Sequence, residues 1–170
     1  MKTTKGARPD NESAYIPGDR YHQDVRRAYE GELGWAANKK ARHMAKVVYE
    51  APHENVAESG IKRGSGRDFA TWVLSEEAGT KEGIFSTKLE LVIDATLEPS
   101  ACIGLHRHLE TEEIYYILEG SLTMTTVAPE GDEHTETLEA GDAHCVKLGQ
   151  GHYGRAGPEG CRFVAVAVRK

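Results

Sequence analysis

The sequence contains no long apolar run, and no stretch approaches the ~20 residues that a membrane-spanning helix needs. Cysteine is also scarce: the chain has three, at Cys102, Cys145 and Cys161, without CxxC spacing. An odd number of scattered cysteines argues against a disulfide framework and favours free thiols in a reducing compartment. No apolar stretch follows the first charged residues, so no secretory signal is expected. We therefore predict a soluble, cytoplasmic protein.

Positive charge is in short supply beyond the first 50 residues. The net charge of the chain is −6; residues 1–50 carry ten basic and seven acidic side chains, and the remainder carries eleven and twenty. An acidic main body argues against nucleic acid and anionic membranes as partners. The expected partner is a small-molecule substrate.

The 170 residues suggest one domain with an N-terminal extension. Residues 1–60 are predicted to be an arm that contains short helices, over 19–30 and 35–44, and one strand over 46–50. From residue 69 to 170 the pattern becomes that of β-structure, with short alternating segments separated by glycine-rich turns. Candidate strands lie at 69–75, 88–94, 101–108, 113–118, 121–127, 135–139, 143–148 and 161–168. Many short strands at this spacing are typical of an all-β sandwich or barrel.

The segment His106-Arg107-His108 is the most informative motif. Residues i and i+2 of a strand project to the same face, so two imidazoles point together into one space. Glu113 begins the next predicted strand after a short polar turn, and a hairpin would bring its carboxylate beside the two histidines. Taken alone, an HxH pair is equally consistent with two exposed histidines on a barrel rim.

The spacing of these residues resembles the two motifs of the cupin superfamily. The first motif, G-x5-H-x-H-x3,4-E-x6-G, corresponds to His106, His108, Glu113 and Gly120. In the second, G-x5-P-x-G-x2-H-x3-N, Gly141 and Gly149 precede His152 at the family spacing. The resemblance implies a double-stranded β-helix, or jelly-roll, barrel that holds one divalent metal ion with His106, His108, Glu113 and His152.

Three positions depart from the cupin motifs. Ser100 replaces the first glycine, Lys147 the proline and Ala156 the asparagine, and all three are scaffold positions rather than ligands. Glu112 is a rival of Glu113, but the six-residue gap to Gly120 and the strand phase favour Glu113.

Three imidazoles and one carboxylate suit Fe, Mn, Ni, Co, Cu or Zn. Four protein ligands leave two positions of a six-coordinate ion open for water, substrate or dioxygen. Glu113, Tyr115 and His144 are the candidate catalytic residues. Tyr115 shares the strand phase of Glu113, and packing in the barrel is its alternative role. His144 is an equally good candidate for a base near the metal or for a packed histidine.

The resemblance implies a metal-dependent enzyme that acts on a small polar or carboxylate-bearing metabolite. An oxidoreductase, specifically a dioxygenase-type oxygenase, is the first choice. An isomerase, lyase or decarboxylase is the alternative, and a non-catalytic small-molecule-binding barrel is the second alternative. We also expect a homodimer, because the arm needs a surface against which to bury its apolar side chains. The candidates for that contact are Tyr29, Trp35, Val47 and Val48.

Overall fold

The computed structural model describes residues 7–18, 39–51, 59–75 and 85–170. Strands dominate this part of the chain. They are β1 (Ile16–Gly18), β2 (Ala45–Ala51), β3 (Gly66–Ser75), β4 (Leu89–Leu97), β5 (Cys102–Arg107), β6 (Thr111–Val127), β7 (Glu133–Glu139), β8 (Ala143–Val146) and β9 (Gly151–Arg169). Single 3-10 turns lie at Glu12–Ala14, Ala41–His43 and Gly60–Arg63. The helix predicted over 19–30 lies outside the described residues, as does most of the one over 35–44. None of the helices described here is long and apolar enough to cross a membrane.

The strands of the described part form one nine-stranded sheet. Its order is β1-β2-β3-β4-β9-β6-β7, with β5 added to β9 and β8 added to β6. All pairings are antiparallel except that of β1 with β2. The predicted all-β double-stranded β-helix is confirmed. The division into an arm over 1–60 and a barrel over 69–170 stays a prediction, and β2 pairs along its whole length with β3.

Two strands are longer than the sequence pattern predicted. β6 joins the predicted segments 113–118 and 121–127, and β9 extends the predicted segment 161–168 back to Gly151. Both strands bend rather than end at their glycines. The β6–β9 ladder pairs Gly120 with Cys161 and resumes at Leu122 with Ala156, so residues 157–160 form a bulge.

Gly120 is required at this bend. Its φ is +72°, and a Cβ atom there would lie 2.1 Å from the carbonyl oxygen of Gly160, whose own φ is +81°. Only glycine tolerates both the left-handed backbone and so close an approach. The bend allows β6 and β9 to pair with different neighbours along their two halves.

The core lies inside the barrel and consists of alternate residues of the central strands. Its fully buried side chains include Val47, Trp72, Leu97, Ile117 and Leu122. Val47 is therefore part of the core rather than a surface that a second subunit can contact. Strand alternation also places Glu113 and Tyr115 of β6 on the inner side, and both are buried. The same alternation that builds the core thus carries polar side chains into the interior.

Candidate metal centre

Three histidines converge at one end of the barrel interior. His106 on β5 pairs across the ladder with His152 on β9, and the Nε2 atoms of the two rings are 2.8 Å apart. His108 follows β5 directly, and its Nε2 atom lies 3.2 Å from that of His152. His152 is completely buried, whereas His106 lies at the exposed edge of the cluster.

Glu113 completes the cluster from β6. Its Oε2 atom lies 3.5 Å from His108 Nε2 and 3.7 Å from His152 Nε2. One ligand atom from each of the four residues lies within 4.8 Å of all the others. Glu112 is exposed on the opposite face of the strand, as the phase argument predicted.

Each imidazole is fixed through the ring nitrogen that faces away from the cluster. His106 Nδ1 lies 2.9 Å from the carbonyl oxygen of Gly104, to which it donates. His108 Nδ1 lies 3.2 Å from Thr111 Oγ1, and His152 Nδ1 lies 3.0 Å from His144 Nε2. These contacts favour the tautomer that leaves the Nε2 lone pair for a metal ion. Gly104 and Thr111 had no role in the predicted site, because no sequence motif marks an outer hydrogen-bond partner.

The cluster disfavours protonated imidazoles. Burial lowers the pKa of His106, and it lowers the pKa of His108 to about 4 with smaller contributions from His106 and His144. Burial, followed by the neighbouring histidines, also depresses the pKa of His152. All three are therefore neutral at physiological pH, which is the state that ligates metal.

Glu113 and Tyr115 form a hydrogen-bonded pair beside the histidines. Burial is the main cause that raises the pKa of Glu113 to about 7, and the bond to Tyr115 partly offsets it. Burial, then the Glu113 charge, holds the pKa of Tyr115 well above its ordinary value, so Tyr115 is the donor of this bond. The Tyr115 ring stacks on Phe163 with centroids 4.4 Å apart. A buried carboxylate without a cation is unfavourable, and a divalent ion at the cluster would remove that cost.

The cluster opens into a cavity of about 480 Å³. Three residues of the cluster line this cavity together with Tyr115; they are His106, His108 and Glu113. His144 is placed differently: it lies behind His152, with ring centroids 5.1 Å apart and nearly parallel planes. The three neutral imidazoles and one carboxylate fit a single divalent metal ion, whose free coordination positions would face the cavity.

Several polar residues of the cavity wall are absent from the predicted site, and Asp68 is the one among those described with a buried, unbonded carboxyl oxygen. Asp68 on β3 lines the cavity, and burial raises its pKa to about 7. The predicted strand began at residue 69, which left Asp68 outside it. Its period-two spacing from Trp72 is the signal that would have placed it on the inner face.

Comparison with known proteins agrees with this geometry. A family model of the cupin domain matches residues 94–167. Oxalate decarboxylase OxdC of Bacillus subtilis is 40% identical over 58 residues, which are 34% of this chain and 15% of that protein. The chain therefore spans only a small part of this curated relative.

Solved structures with the same fold include one predicted oxalate decarboxylase and one oxalate decarboxylase. A predicted oxalate decarboxylase from Thermotoga maritima matches with a TM-score of 0.54 and 24% identity, over 77% of this chain and 97% of that one. Bacillus subtilis oxalate decarboxylase, described with Mn(II) centres, matches with a TM-score of 0.51 and 26% identity, over 60% of this chain and 25% of that one. Residues 94–167 therefore match the cupin domain, and the three-histidine, one-glutamate cluster within them forms a site suited to one divalent metal ion.

Proposed function

We propose that this protein is a metal-dependent decarboxylase or related lyase that acts on a small carboxylate-bearing metabolite. The observation that carries the proposal is the cluster of three neutral imidazoles and Glu113 beside a cavity. The similarity to oxalate decarboxylases supports C–C bond cleavage over the oxygenase chemistry that the sequence favoured. When bound, the metal ion would supply a Lewis acid to which a substrate carboxylate coordinates.

The protein's own residues hold this arrangement. Gly104, Thr111 and His144 orient the three imidazoles, and we propose that His144 acts through His152 rather than on substrate. Tyr115 donates its hydroxyl hydrogen to Glu113 and thereby favours the carboxylate over the acid. Apolar side chains such as Leu91, Ile93 and Phe163 line part of the same cavity and limit the access of water to that part.

An oxygenase is the second candidate. Four protein ligands leave two positions of a six-coordinate ion free, which is enough for a substrate and dioxygen. The two reactions differ in stoichiometry. A decarboxylase breaks one C–C bond, releases CO2 and places a proton on the remaining carbon without net consumption of oxygen, whereas an oxygenase consumes one dioxygen per turnover.

The deciding experiment measures CO2 release and oxygen uptake together. The chain is loaded separately with Mn, Fe, Co, Ni, Cu or Zn and given a panel of keto-acids, hydroxy-acids and dicarboxylates, oxalate among them. We expect CO2 equimolar with substrate consumed and no net oxygen uptake. The variant His106→Ala with His108→Ala, which lacks two ligands, is the control and should be inactive while still folded. Oxygen uptake equimolar with substrate would favour the oxygenase, and no turnover with any metal would favour a binding protein.

We also propose a homodimer in a reducing compartment such as the cytoplasm. All three cysteines are free, with Cys145 exposed, which supports the compartment. Three apolar side chains on the outer face of β6 and β9 support the dimer. We call them the outer strip; they are Ile114, Tyr116 and Val168, which are 44%, 48% and 40% exposed.

A further inference from the structure

Asp68 is a carboxyl group in the cavity that the metal centre does not use. It lies on β3 in phase with Ala70 and Trp72, both members of the buried core, so strand alternation turns it inward. It lines the same cavity as His108 and Glu113. Asp68 and the metal centre therefore face the same cavity.

Asp68 lacks the partners that usually accompany a buried carboxyl. Its Oδ1 atom is buried, and no donor in the described part of the chain bonds to it. The adjacent cation Arg67 is engaged elsewhere, in an ion pair with Glu98 and a longer one with Glu12. A buried polar group without a partner is costly, and native proteins retain few of them without a functional reason.

The surroundings of Asp68 are mainly apolar. Leu97 of β4 lies directly opposite Asp68 across one ladder, and Tyr49 of β2 lies opposite across the other. Ala95 and Phe163 line the cavity beyond them. The wall also carries charged side chains farther along, among them Arg63, Arg67 and Glu90. A polar group set among apolar neighbours, as Asp68 is here, can orient a ligand within a binding site.

Asp68 is also electrostatically coupled to the metal centre. Burial is the main cause of the raised pKa of Glu113, and the charge of Asp68 contributes to that increase. The same charge contributes to the raised pKa of Tyr115, after burial and Glu113. A divalent ion bound by the Glu113 carboxylate would give a net charge of about +1 at the metal centre. An ionised Asp68 would place a charge of −1 at its own position in the cavity wall. A ligand with a negative and a positive or donor end would complement both.

We propose that Asp68 binds the end of the substrate that is remote from the metal and receives a hydroxyl or ammonium group there. The inference rests on the proposed function, which places the substrate carboxylate at the metal centre. It narrows the substrate class to short acids that carry a hydrogen-bond donor separated from the carboxylate by apolar carbons. Oxalate, which has no such donor when ionised, does not meet this requirement.

The test compares ligands that differ only at the remote end. The full chain loaded with Mn²⁺ is titrated calorimetrically with unbranched acids of three to six carbons in three forms: plain alkanoate, ω-hydroxy acid and ω-amino acid. We expect one donor-bearing series to bind about tenfold or more tightly than the plain acid at a matching length. The series that does so identifies the donor as hydroxyl or ammonium.

Two variants assign the preference to Asp68. Asp68→Leu should reduce the preference for the donor to less than about twofold while plain alkanoates still bind, and Asp68→Asn should retain part of a hydroxyl preference but lose an ammonium preference. Asp94→Asn is the matched control, because Asp94 lies on the adjacent strand and pairs with Arg162 outside this cavity. Metal content and circular dichroism confirm that each variant is folded and loaded.

The outcomes separate this inference from the proposed function. The inference would be overturned if donor-bearing and plain acids bind with equal affinity at every length, or if none of them binds. A preference for the donor that survives in Asp68→Leu would overturn it as well. Alkanoate binding that persists after metal removal would instead contradict the placement of the carboxylate at the metal, whatever Asp68 does. A donor preference abolished only by substitution of Asp68 would establish the role.

Discussion

His144 bonds to the side of His152 that faces away from the cluster, so its contribution to metal binding can be measured without changing a predicted ligand. Its Nε2 accepts the hydrogen of His152 Nδ1 at 3.0 Å when His152 presents Nε2 to the metal. We expect His144→Leu to remain folded but to bind divalent metal about 10- to 100-fold more weakly, because His152 loses the partner that fixes its tautomer. Competition titration with a chromophoric chelator measures this.

The control for that experiment is another histidine. His134→Leu changes a side chain that is 81% exposed on β7, and its metal affinity should equal that of the unsubstituted chain. His144→Gln supplies a carbonyl oxygen in place of the ring nitrogen and should recover part of the loss. Unchanged affinity in His144→Leu would show that the contact with His152 does not support the metal.

Burial of the Asp68 carboxyl predicts that the free energy of unfolding falls as the pH rises. Its pKa rises from 3.8 to about 7 on folding. Below about pH 4 both states hold the proton; as pH rises toward 7 the unfolded state releases it first, so the free energy of unfolding falls. The full pKa shift would lower the free energy of unfolding by ~4 kcal/mol. Because water reaches the carboxyl through the cavity, we expect a loss of about 1–3 kcal/mol.

Asp68→Asn keeps the shape of the side chain and removes its ionisation. Relative to the unsubstituted chain, the variant should therefore become more stable by about 1–3 kcal/mol between pH 4 and pH 8. Urea unfolding of the metal-free proteins at several pH values measures the difference. A stability difference that stays constant over this range would mean that the carboxyl is solvated in the folded state.

At the scale of the strand, the bend in β6 predicts two different outcomes for the same substitution. Gly120→Ala combines a positive φ with a clash against the Gly160 carbonyl, whereas Gly131 has a φ of +107° and nothing within 4 Å of an added Cβ. We expect Gly131→Ala to cost about 1 kcal/mol and Gly120→Ala about 3 kcal/mol or more, enough to prevent folding in a marginal background. Thermal unfolding of the two variants makes the comparison, and equal midpoints would contradict the required close approach.

The strands also show how far the sequence could predict this fold. Alternation identified β4 and the inner phase of Glu113, because one side of each strand is buried and the other is not. The pattern missed that Gly120 bends a strand instead of ending it, since a glycine with positive φ serves both turns and bulges. It also missed Asp68, because a polar residue at an inner position contradicts the hydrophobic pattern from which strands are recognised.

The ligand spacing was more informative than any single residue. His106 and His108 indicated only a shared face, and the distances to Glu113 and His152 along the chain added the family motif. The spacing could not predict which side chains pack around the ligands, such as the contact of Thr111 with His108. Such contacts depend on loop conformation and side-chain rotamers, which no periodicity encodes.

For the whole molecule, the outer strip predicts the assembly. A stable dimer buries about 800 Å² on each subunit, with apolar side chains at its centre. We expect light scattering at micromolar concentration to give twice the chain mass, and Ile114→Lys with Tyr116→Lys to give a monomer. Leu109→Lys, at a 65% exposed position in the turn before β6, is the control and should remain dimeric. A monomeric unsubstituted chain would contradict the proposal.

The position of β9 has a consequence for the order of events during synthesis. It follows every other strand in the sequence, yet it lies between β4 and β6 in the sheet. Until the ribosome has released this segment, β4 and β6 present unpaired edges to each other and to other nascent chains. His152 arrives on the same strand, so the newly made polypeptide holds at most three of the four metal ligands before closure. We therefore expect binding at full affinity only after this last strand has taken its place in the sheet.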